Sequence, residues 1–270
     1  MIPPLSAAAP ESELDGIRIT RLGFDGCLTR LRRWMSEDRF RRVATANADF
    51  LTQAKRHREL HLALETADMV TADGQPLVWL SRLAGTPVEE RVAGSDLVLP
   101  LIAHAARTGT SVYLLGATDD VLRIVRQRFL AEHPGLEVAG VFSGRVDVDD
   151  ATGMRRLAKR IELSGAGLLL VALGCPKQEL FLLRYGPATG ASLGIGVGAS
   201  LDFLAGRSTR APRWVQRLGL EWTHRLACEP RRLGKRYARN FAYLLRLTTS
   251  LMRRRLLGAR AHLSTSRGTL

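Results

Sequence analysis

Short apolar runs alternate with longer amphipathic segments from about residue 17 to residue 206. Runs rich in β-branched and aliphatic residues indicate strands, whereas apolar residues repeated every three or four positions indicate helices. The predicted strands are 17–24, 41–47, 68–74, 111–117, 137–144, 167–174 and 191–198. The first predicted helix ends at about residue 36, and the others cover 49–67, 95–108, 118–133, 150–163 and a segment from about 176. Ser95 and Thr118 are predicted N-caps.

Strands that alternate with helices predict an α/β fold, namely a mostly parallel, Rossmann-like sheet with helices on both faces. In such folds, ligands bind outside the carboxyl ends of the strands. Thr45, Asn47, Asp73, Gly116 and the segment 174–178 all fall at predicted strand ends. These positions are therefore the first candidates for a binding site.

The string GCPKQE (174–179) follows a buried-type strand and leads into a predicted helix. Pro176 suits the first turn of a helix, and free backbone amides at a helix N-terminus can hold an anion. Lys177 or Gln178 could then reach a phosphate group or the edge of a uracil base. A well-capped loop with a solvated lysine and glutamine explains the same residues equally well.

The string TADG (71–74) places Asp73 on the turn that ends a predicted strand. A carboxylate there is a candidate general base, although Asp-Gly is far more often simply a turn. The position of Asp73 at the sheet edge, beside Thr45 and Asn47, strengthens the catalytic interpretation.

Two further strings have structural explanations. LGIGVGASLDFLAG (193–206) lacks the spacing of a dinucleotide fingerprint, so Gly198 serves either close packing or a turn that faces a phosphate. The acids of DVDD (147–150) could hold a divalent metal, but they precede a predicted helix, where capping is the better explanation. His57 and His61 lie on a polar helix and are interpreted as solvated.

The formal charge of +14 belongs to the last quarter of the chain. Residues 207–270 contain 16 Lys or Arg and two Glu, whereas residues 1–206 contain 24 basic and 24 acidic residues. Trp214, Leu218, Trp222 and Leu226 form one helical stripe within this region. A second stripe follows Pro230 and comprises Leu233, Tyr237, Phe241, Leu244 or Leu245, Leu251 and Leu256. The pattern predicts amphipathic basic helices over 207–257.

Three interpretations of this basic segment are open. Nucleic acid would use its charge through phosphate contacts, and an anionic membrane surface would use both the charge and the apolar stripe. The third interpretation is a solvated helical hairpin. Apolar residues at helical spacing favour a membrane surface, and we expect no nucleic acid partner.

Composition and cysteine content also predict the domain boundaries and the cellular compartment. Residues 1–16 are expected to be a flexible tail, 17–206 the catalytic domain, 207–257 the basic appendage and 258–270 a second flexible tail. Cys27, Cys175 and Cys228 have no disulfide or zinc spacing, which favours a reducing cytosol. No apolar run reaches the ~20 residues that cross a bilayer, so we expect a soluble or peripheral protein.

Several strings in a fixed order connect the chain with a known family. They are TANAD (45–49), ADMVTADG (67–74), ERVAGSDL (90–97), VYLLGA (112–117), HPGLEVAGVFSG (133–144), LVALGCPKQE (170–179), GVGASLDFLAG (196–206), RAPRW (210–214) and LEWTHRLACEPRRLGKRY (220–237). Together they make the chain resemble the WecG/TagA/CpsF glycosyltransferases, glycosyltransferase family 26, from about residue 17 to 243.

This resemblance implies an inverting transfer of a sugar from a UDP-sugar donor to a polyprenyl-diphosphate-linked acceptor. The reaction would occur on the inner face of the cytoplasmic membrane during synthesis of a bacterial surface polysaccharide. The sugar would be N-acetylmannosamine or its uronic acid. The resemblance implies no metal, we expect no cofactor, and a homo-oligomer is compatible with the sequence.

The resemblance also implies roles for individual residues. Asp73 would be the base that deprotonates the acceptor hydroxyl, with Thr45 and Asn47 in the same pocket. Arg91 and Gln178 would contact the donor or the acceptor.

The basic C-terminal segment would dock on the membrane and bring Arg225 and Arg232 over the site. Because a UDP leaving group develops charge that no metal would neutralise, two arginines there would stabilise it.

The chain departs from the family pattern at three places. Cys175 stands where serine is frequent, FSGRV (142–146) replaces a more aromatic run, and residues beyond Phe241 extend past the shared part. Because 142–146 are expected near the donor or acceptor, the sugar could instead be a hexose such as glucose. The competing classes are a nucleic-acid-binding protein with a basic C-terminal arm and a nucleotide-dependent enzyme that does not act on sugars.

Overall fold

The computed structural model describes residues 10–208, 211–212, 215 and 221–265. Within the last range, the side chains at positions 225, 232 and 256–265 lie outside the description. The described residues form an α/β fold built on a six-stranded parallel sheet with helices on both faces. The predicted fold class is therefore confirmed.

The central sheet has the strand order β4-β3-β8-β7-β5-β6, and each neighbouring pair is parallel. A separate antiparallel pair, β1 and β2, precedes it. The inner strands are buried almost throughout because helices cover both faces, and their sequences are therefore continuous apolar runs. The strands are β1 Glu11–Leu14, β2 Ile17–Thr20, β3 Arg41–Ala46, β4 Met69–Ala72, β5 Val112–Gly116, β6 Val138–Phe142, β7 Leu168–Ala172 and β8 Leu193–Gly196.

Eleven α-helices are numbered here in chain order within the described residues. They are α1 Phe24–Trp34, α2 Ala48–Ala54, α3 Arg58–Glu65, α4 Gln75–Leu83, α5 Gly94–Thr108, α6 Asp119–Glu132, α7 Ala151–Leu163, α8 Lys177–Arg184, α9 Ser200–Leu204, α10 Glu221–Cys228 and α11 Pro230–Thr265. A short 3-10 helix, Gly186–Thr189, lies between α8 and β8. In the described part of the chain, no helix is both long enough and apolar enough to span a membrane.

Four details differ from the sequence predictions. Residues 11–14, expected in a flexible tail, form β1 because Ser12 and Leu14 point into the protein. The helix predicted over 49–67 is broken into α2 and α3. His57 is exposed, as predicted, and it also caps α3 by accepting from the Leu60 amide. The segment 75–83, for which no element was predicted, is α4.

The fourth difference is the start of α5, which begins at Gly94 with Ala93, not Ser95, as its N-cap. A Cβ at position 94 would lie 2.9 Å from the Thr45 hydroxyl oxygen, so only glycine permits this close approach. In contrast, Thr118 caps α6 as predicted, because its hydroxyl accepts from the Val121 amide.

The long C-terminal helix α11 packs on α2 and α4. Leu247 and Leu251 join the core cluster formed by β1 to β4 and α2 to α4. A hydrogen bond also holds α11 against the body, because the Tyr243 hydroxyl donates to the Asp15 carboxylate at 2.7 Å. The helix continues through Thr265, so its backbone includes positions that were expected in a flexible tail after 257.

The apolar stripe predicted for α11 is only partly buried. Leu233 is 5% exposed, but Phe241 and Leu245 are 67% and 57% exposed. Residues four apart advance about 40° further around a helix at each step, because one turn takes 3.6 residues. The stripe therefore leaves the core at its middle and presents Phe241 and Leu245 to solvent.

Candidate active site

A cleft of about 790 Å³ lies between the sheet and the C-terminal helices. The loops that follow β3, β4, β7 and β8 form one wall, and α10 and α11 form the other. Six of the predicted site residues line this cleft, namely Thr45, Asn47, Asp73, Arg91, Gln178 and Gly198. The carboxyl edge of the sheet therefore brings together residues that are up to about 150 positions apart in sequence.

Asp73 follows β4, and its backbone amide donates to the carbonyl of Ala46 at 2.8 Å. This bond fixes the turn against the end of β3 and leaves the Asp73 side chain 27% exposed in the cleft. One carboxylate oxygen lies 3.7 Å from a guanidinium nitrogen of Arg91. Asp73 is thus a partly exposed carboxylate whose backbone is held by the sheet.

Arg91 lies among three carboxylates. Its side chain is 17% exposed and reaches Asp96 at 3.2 Å and Glu221 at 3.5 Å, as well as Asp73. Because Glu221 is the first residue of α10, this arginine connects the α/β body with the C-terminal helices across the cleft. Arg91 therefore places positive charge beside the Asp73 carboxylate and joins the second wall to the body through Glu221.

Thr45 and Asn47 shape the site through contacts within the protein. The Thr45 hydroxyl is buried and donates to the carbonyl of Gly196 at 2.9 Å, which ties β3 to β8. The Asn47 side chain caps α2 by accepting from the Asp49 amide at 3.0 Å. Both residues thus fix the backbone on which Asp73 and the cleft wall depend.

Gln178 forms part of the cleft floor. Its carbonyl oxygen accepts from the amides of Gly174 at 3.2 Å and Gly198 at 3.1 Å, and its side-chain nitrogen donates to Glu179 at 2.7 Å. The loops after β7 and β8 are therefore joined through one side chain. These two glycine amides, for which an anion-facing role was one of two open interpretations, are hydrogen-bonded within the protein.

Two predicted binding residues do not line the cleft, and the side chains of two others lie outside the described residues. Gly116 ends β5, where a Cβ would lie 2.7 Å from the Ala172 carbonyl oxygen, so its role is close packing against β7. Lys177 is exposed at the start of α8. The side chains of Arg225 on α10 and Arg232 on α11 are the two outside the described part of the chain.

The segment 142–146 also lies away from the cleft. It follows β6 at the edge of the sheet and contributes no lining residue. The expectation that it borders the donor or acceptor therefore gains no support from the lining of this cleft and stays a prediction.

The mouth of the cleft is apolar. Trp79 of α4 is 48% exposed, and Trp222 of α10 is 40% exposed. Phe241 and Leu245 of α11 line the same opening. These large side chains leave apolar surface next to a polar interior, an arrangement suited to a ligand with a polar head and an apolar tail.

Sequence reasoning missed four polar residues of the site region. Glu179 is buried behind the cleft floor, and burial raises its pKa to about 8. Asp49 is also buried and pairs with Arg236 of α11 at 2.6 Å, while Glu221 pairs with Arg91. A charged residue in the first turn of a predicted helix looks solvated in a sequence, and the long-range packing that buries it leaves no local signal.

The acidic string 147–150 has the capping role that was predicted. Asp150 accepts from the Gly153 amide at 3.0 Å at the start of α7, and Asp149 pairs with Arg184 at 2.8 Å. Within the described ranges, no cluster of three or more His, Cys, Asp or Glu side chains could hold a metal ion.

The fold and the cleft place the protein in the α/β class, with its cleft at the carboxyl edge of a parallel sheet, where proteins of this class bind their ligands. The chain belongs to the WecG/TagA/CpsF family of glycosyl transferases, whose model matches residues 12–257, and it is a glycosyltransferase.

Named relatives support this assignment. Two N-acetylglucosaminyldiphosphoundecaprenol N-acetyl-β-D-mannosaminyltransferases, from Bacillus spizizenii and Bacillus subtilis, are each 33% identical to this chain. Both alignments cover 70% of this chain and 72% of the relative. A Staphylococcus aureus protein of the same name is 28% identical over 72% of this chain and 74% of its own length.

Proposed function

We propose that the protein transfers a sugar from a UDP-sugar to a saccharide linked to a polyprenyl diphosphate, with inversion and without a metal. The position of Asp73 in the cleft, at the carboxyl edge of the sheet, carries this proposal. The names of the relatives support N-acetylmannosamine as the sugar and a diphosphoundecaprenol-linked N-acetylglucosamine as the acceptor. Its uronic acid and glucose are the alternative sugars.

In this mechanism, Asp73 is the general base. Its carboxylate takes the proton of the acceptor hydroxyl while the hydroxyl oxygen attacks the anomeric carbon of the donor. The bond from that carbon to the diphosphate oxygen breaks, and UDP leaves with the electron pair. One displacement inverts the anomeric centre, so a single base is sufficient.

The departing diphosphate needs positive charge, which the C-terminal helices supply. Arg225 is four residues after Glu221 on α10, and Arg232 is four residues before Arg236 on α11. Glu221 and Arg236 both line the cleft, and residues four apart share a helix face. Arg225 and Arg232 are therefore our candidates for stabilising the leaving group, a role in which arginine can form two parallel hydrogen bonds with a phosphate.

The exposed surface of α11 supports attachment to an anionic membrane. Phe241, Leu245 and Met252 recur along one side of the helix, and all three are exposed. Exposed cations lie to one side of them on the same helix, namely Lys235, Arg239, Arg246 and Arg253. Apolar residues that enter the interface and cations that bind acidic head groups are the features of a helix that lies on a bilayer. The apolar mouth of the cleft would then face the polyprenyl chain.

A product assay tests the proposal. Each of several UDP-sugars is incubated with a synthetic prenyl-diphosphate-linked N-acetylglucosamine, and the products are identified by mass spectrometry with and without EDTA. We expect one disaccharide product whose yield is unchanged by EDTA. The absence of any product across the UDP-sugars would reject the donor class, and a strict requirement for Mn²⁺ or Mg²⁺ would reject the metal-independent mechanism.

Substitution of Asp73 tests the mechanism. Asp73→Asn should lower kcat by roughly 10²–10⁴-fold, the usual contribution of a general base, with little change in affinity for UDP. Asp202→Asn is the matched control, since Asp202 is a second carboxylate of the cleft wall that no step uses. Undiminished turnover by Asp73→Asn would exclude Asp73 as the base.

A further inference from the structure

Glu179 is a buried carboxyl group directly behind the floor of the cleft. Only 4% of the residue is exposed. One carboxyl oxygen accepts from the side-chain nitrogen of Gln178 at 2.7 Å, and the other is buried without a hydrogen-bond partner among the described residues. Burying a polar oxygen without a hydrogen bond lowers the stability of the fold, so a buried glutamate at this position suggests a role other than packing.

The neighbouring amide explains what the carboxyl group does. The carbonyl oxygen of Gln178 accepts from the amides of Gly174 and Gly198, which lie in the loops after β7 and β8. An amide whose oxygen is used in this way must direct its nitrogen to an acceptor on the other side, and Glu179 provides that acceptor. Glu179 thus determines which end of the Gln178 amide faces the two loops.

The sequence makes room for this pair at Gly196 of β8. A Cβ at position 196 would lie 2.5 Å from the Gln178 nitrogen and 3.0 Å from the Glu179 oxygen. A larger residue would displace the amide from its position. The strand therefore carries a glycine where the hydrogen-bonded pair crosses it.

We propose that Glu179 is a positioning residue whose carboxyl group holds the Gln178 amide in the orientation that joins the two loops of the cleft floor. The loops contribute Gly174, Cys175 and Gly198 to the cleft, so their separation shapes the space for the ligand. The link to catalysis rests on the sugar transfer proposed above, whereas the link to loop order does not.

The surroundings of Glu179 favour its neutral form. Burial raises its pKa to about 8, and the adjacent Cys175 thiol has a pKa raised by the same cause. Beyond Cys175 lie Asp49 of α2 and Arg236 of α11, which neutralise each other in an ion pair. Gly196 of β8 brings no charge. Among the described residues, the other charged side chains of α8 are the exposed Lys177 and, at its far end, Arg184, which pairs with Glu59 of α3 and with Asp149.

Above about pH 8, Glu179 would ionise in a buried place where the weak donor Cys175 is the neighbour of its second oxygen. The carboxylate would still accept from Gln178, but a buried charge without a cation would draw water to the cleft floor and loosen the two loops. Each further pH unit lowers the fraction of neutral Glu179 about tenfold, so the apparent affinity for a ligand of the ordered floor would fall by up to about tenfold per unit.

The experiment compares wild type with Glu179→Gln and Glu179→Ala from pH 6.5 to 9.5. Hydrogen exchange at the Gly174 and Gly198 amides, expressed as protection factors, reports loop order without any substrate. KM and kcat for the UDP-sugar donor report the effect on catalysis. Glutamine keeps an acceptor oxygen and cannot ionise, whereas alanine removes the acceptor.

In wild type, protection at both glycines should fall above about pH 8 while KM rises up to about tenfold per unit and kcat changes less. Glu179→Gln should have the same protection factors and KM as wild type at pH 7, and neither quantity should change above pH 8. Glu179→Ala should show low protection at all pH values. If Glu179→Ala does not fold, the comparison of Glu179→Gln with wild type is sufficient.

The positioning role is wrong if Glu179→Gln follows the wild-type pH curves, or if folded Glu179→Ala keeps full protection at both glycines. If the exchange results agree but no UDP-sugar is turned over by wild type, the proposed function fails while the positioning role holds. The two failures are therefore distinguishable.

Discussion

The ion pair between Asp49 and Arg236 provides a quantitative test of how α11 is attached. The Asp49 side chain is 7% exposed, whereas the Arg236 side chain is 43% exposed, although the two lie only 2.6 Å apart. The buried partner also accepts a hydrogen bond from Gln53. With its amide turned to donate, Asn240 of α11 lies 3.3 Å from the second Asp49 oxygen.

The unequal exposure predicts unequal costs. Arg236→Met keeps the apolar stem but leaves the Asp49 carboxylate buried without a cation, and removing one partner of a fully buried pair costs about 3–5 kcal/mol. Because Gln53 and Asn240 still donate to Asp49, we expect a decrease of about 2 kcal/mol in the free energy of unfolding. Asp49→Asn leaves a half-exposed Arg236 that water can solvate, so its cost should be below about 1 kcal/mol.

Urea unfolding of the two single variants and the double variant measures these costs, with circular dichroism at 222 nm as the signal. The double variant should be more stable than Arg236→Met alone, because asparagine at position 49 removes the stranded charge. Arg231→Met is the matched control, since Arg231 is exposed on the same helix. Equal costs for the two single variants, or strictly additive costs in the double variant, would refute the argument from burial.

Three further predictions concern the exposed stripe, the cleft floor and pH. Replacing both Phe241 and Leu245 by Ser should weaken binding to anionic vesicles at least tenfold without lowering Tm, since both side chains are exposed; unchanged vesicle binding would contradict the membrane role. Gly196→Ala should cost about 1–3 kcal/mol of stability in urea, because its Cβ would overlap the Gln178 amide. Because the pKa of Glu179 is raised to about 8 in the folded state, its stabilising contribution is complete below the unfolded pKa near 4.5 and is lost as pH rises to about 8. In wild type, the free energy of unfolding should therefore fall by up to about 1.4 kcal/mol per pH unit over this range, and Glu179→Gln should remove this dependence in urea titrations. The same pH dependence in the variant as in wild type would count against burial as the cause.

Most of the sheet could be predicted because a parallel strand covered on both faces must be apolar along its whole length. The apolar runs at β5, β7 and β8 could therefore be recognised as strands from the sequence. Because ligands bind at the carboxyl ends of parallel strands, the predicted strand ends then indicated Thr45, Asn47 and Asp73, which line the cleft. Gly116 shows the limit of that rule, since it ends a strand but serves packing against β7.

What could not be predicted depends on contacts between distant parts of the chain. Glu179 and Asp49 resemble ordinary acids in the first turn of a helix, and only the packing of α8 and α11 buries them. Likewise, the apolar stripe on α11 did not predict which of its residues are buried against the body, because their burial depends on the positions of α2 and α4. Helical periodicity identifies a face but not its partner.

The packing of α11 also determines how the proposed arginines must be tested. Leu247 and Leu251 belong to the same core cluster as Leu80 of α4 and Phe50 of α2, so a chain that ends before α10 would expose apolar surface on the body. Loss of activity in such a truncated chain would therefore reflect misfolding as readily as loss of a catalytic group.

Single substitutions separate these explanations. Arg225→Gln and Arg232→Gln keep Leu247 and Leu251 in the core cluster, and a Tm measured for each variant distinguishes loss of stability from loss of a catalytic group. If these residues stabilise the departing diphosphate, kcat should fall by about 10²-fold or more, as for other groups that stabilise charge in the transition state. Arg254→Gln is the matched control, because Arg254 is exposed on the same helix beyond the cleft-lining Thr248 and has no role in the proposed membrane contact. Full activity in both Arg225→Gln and Arg232→Gln would exclude these two arginines as the groups that stabilise the leaving group, and that part of the proposed mechanism would have to be abandoned.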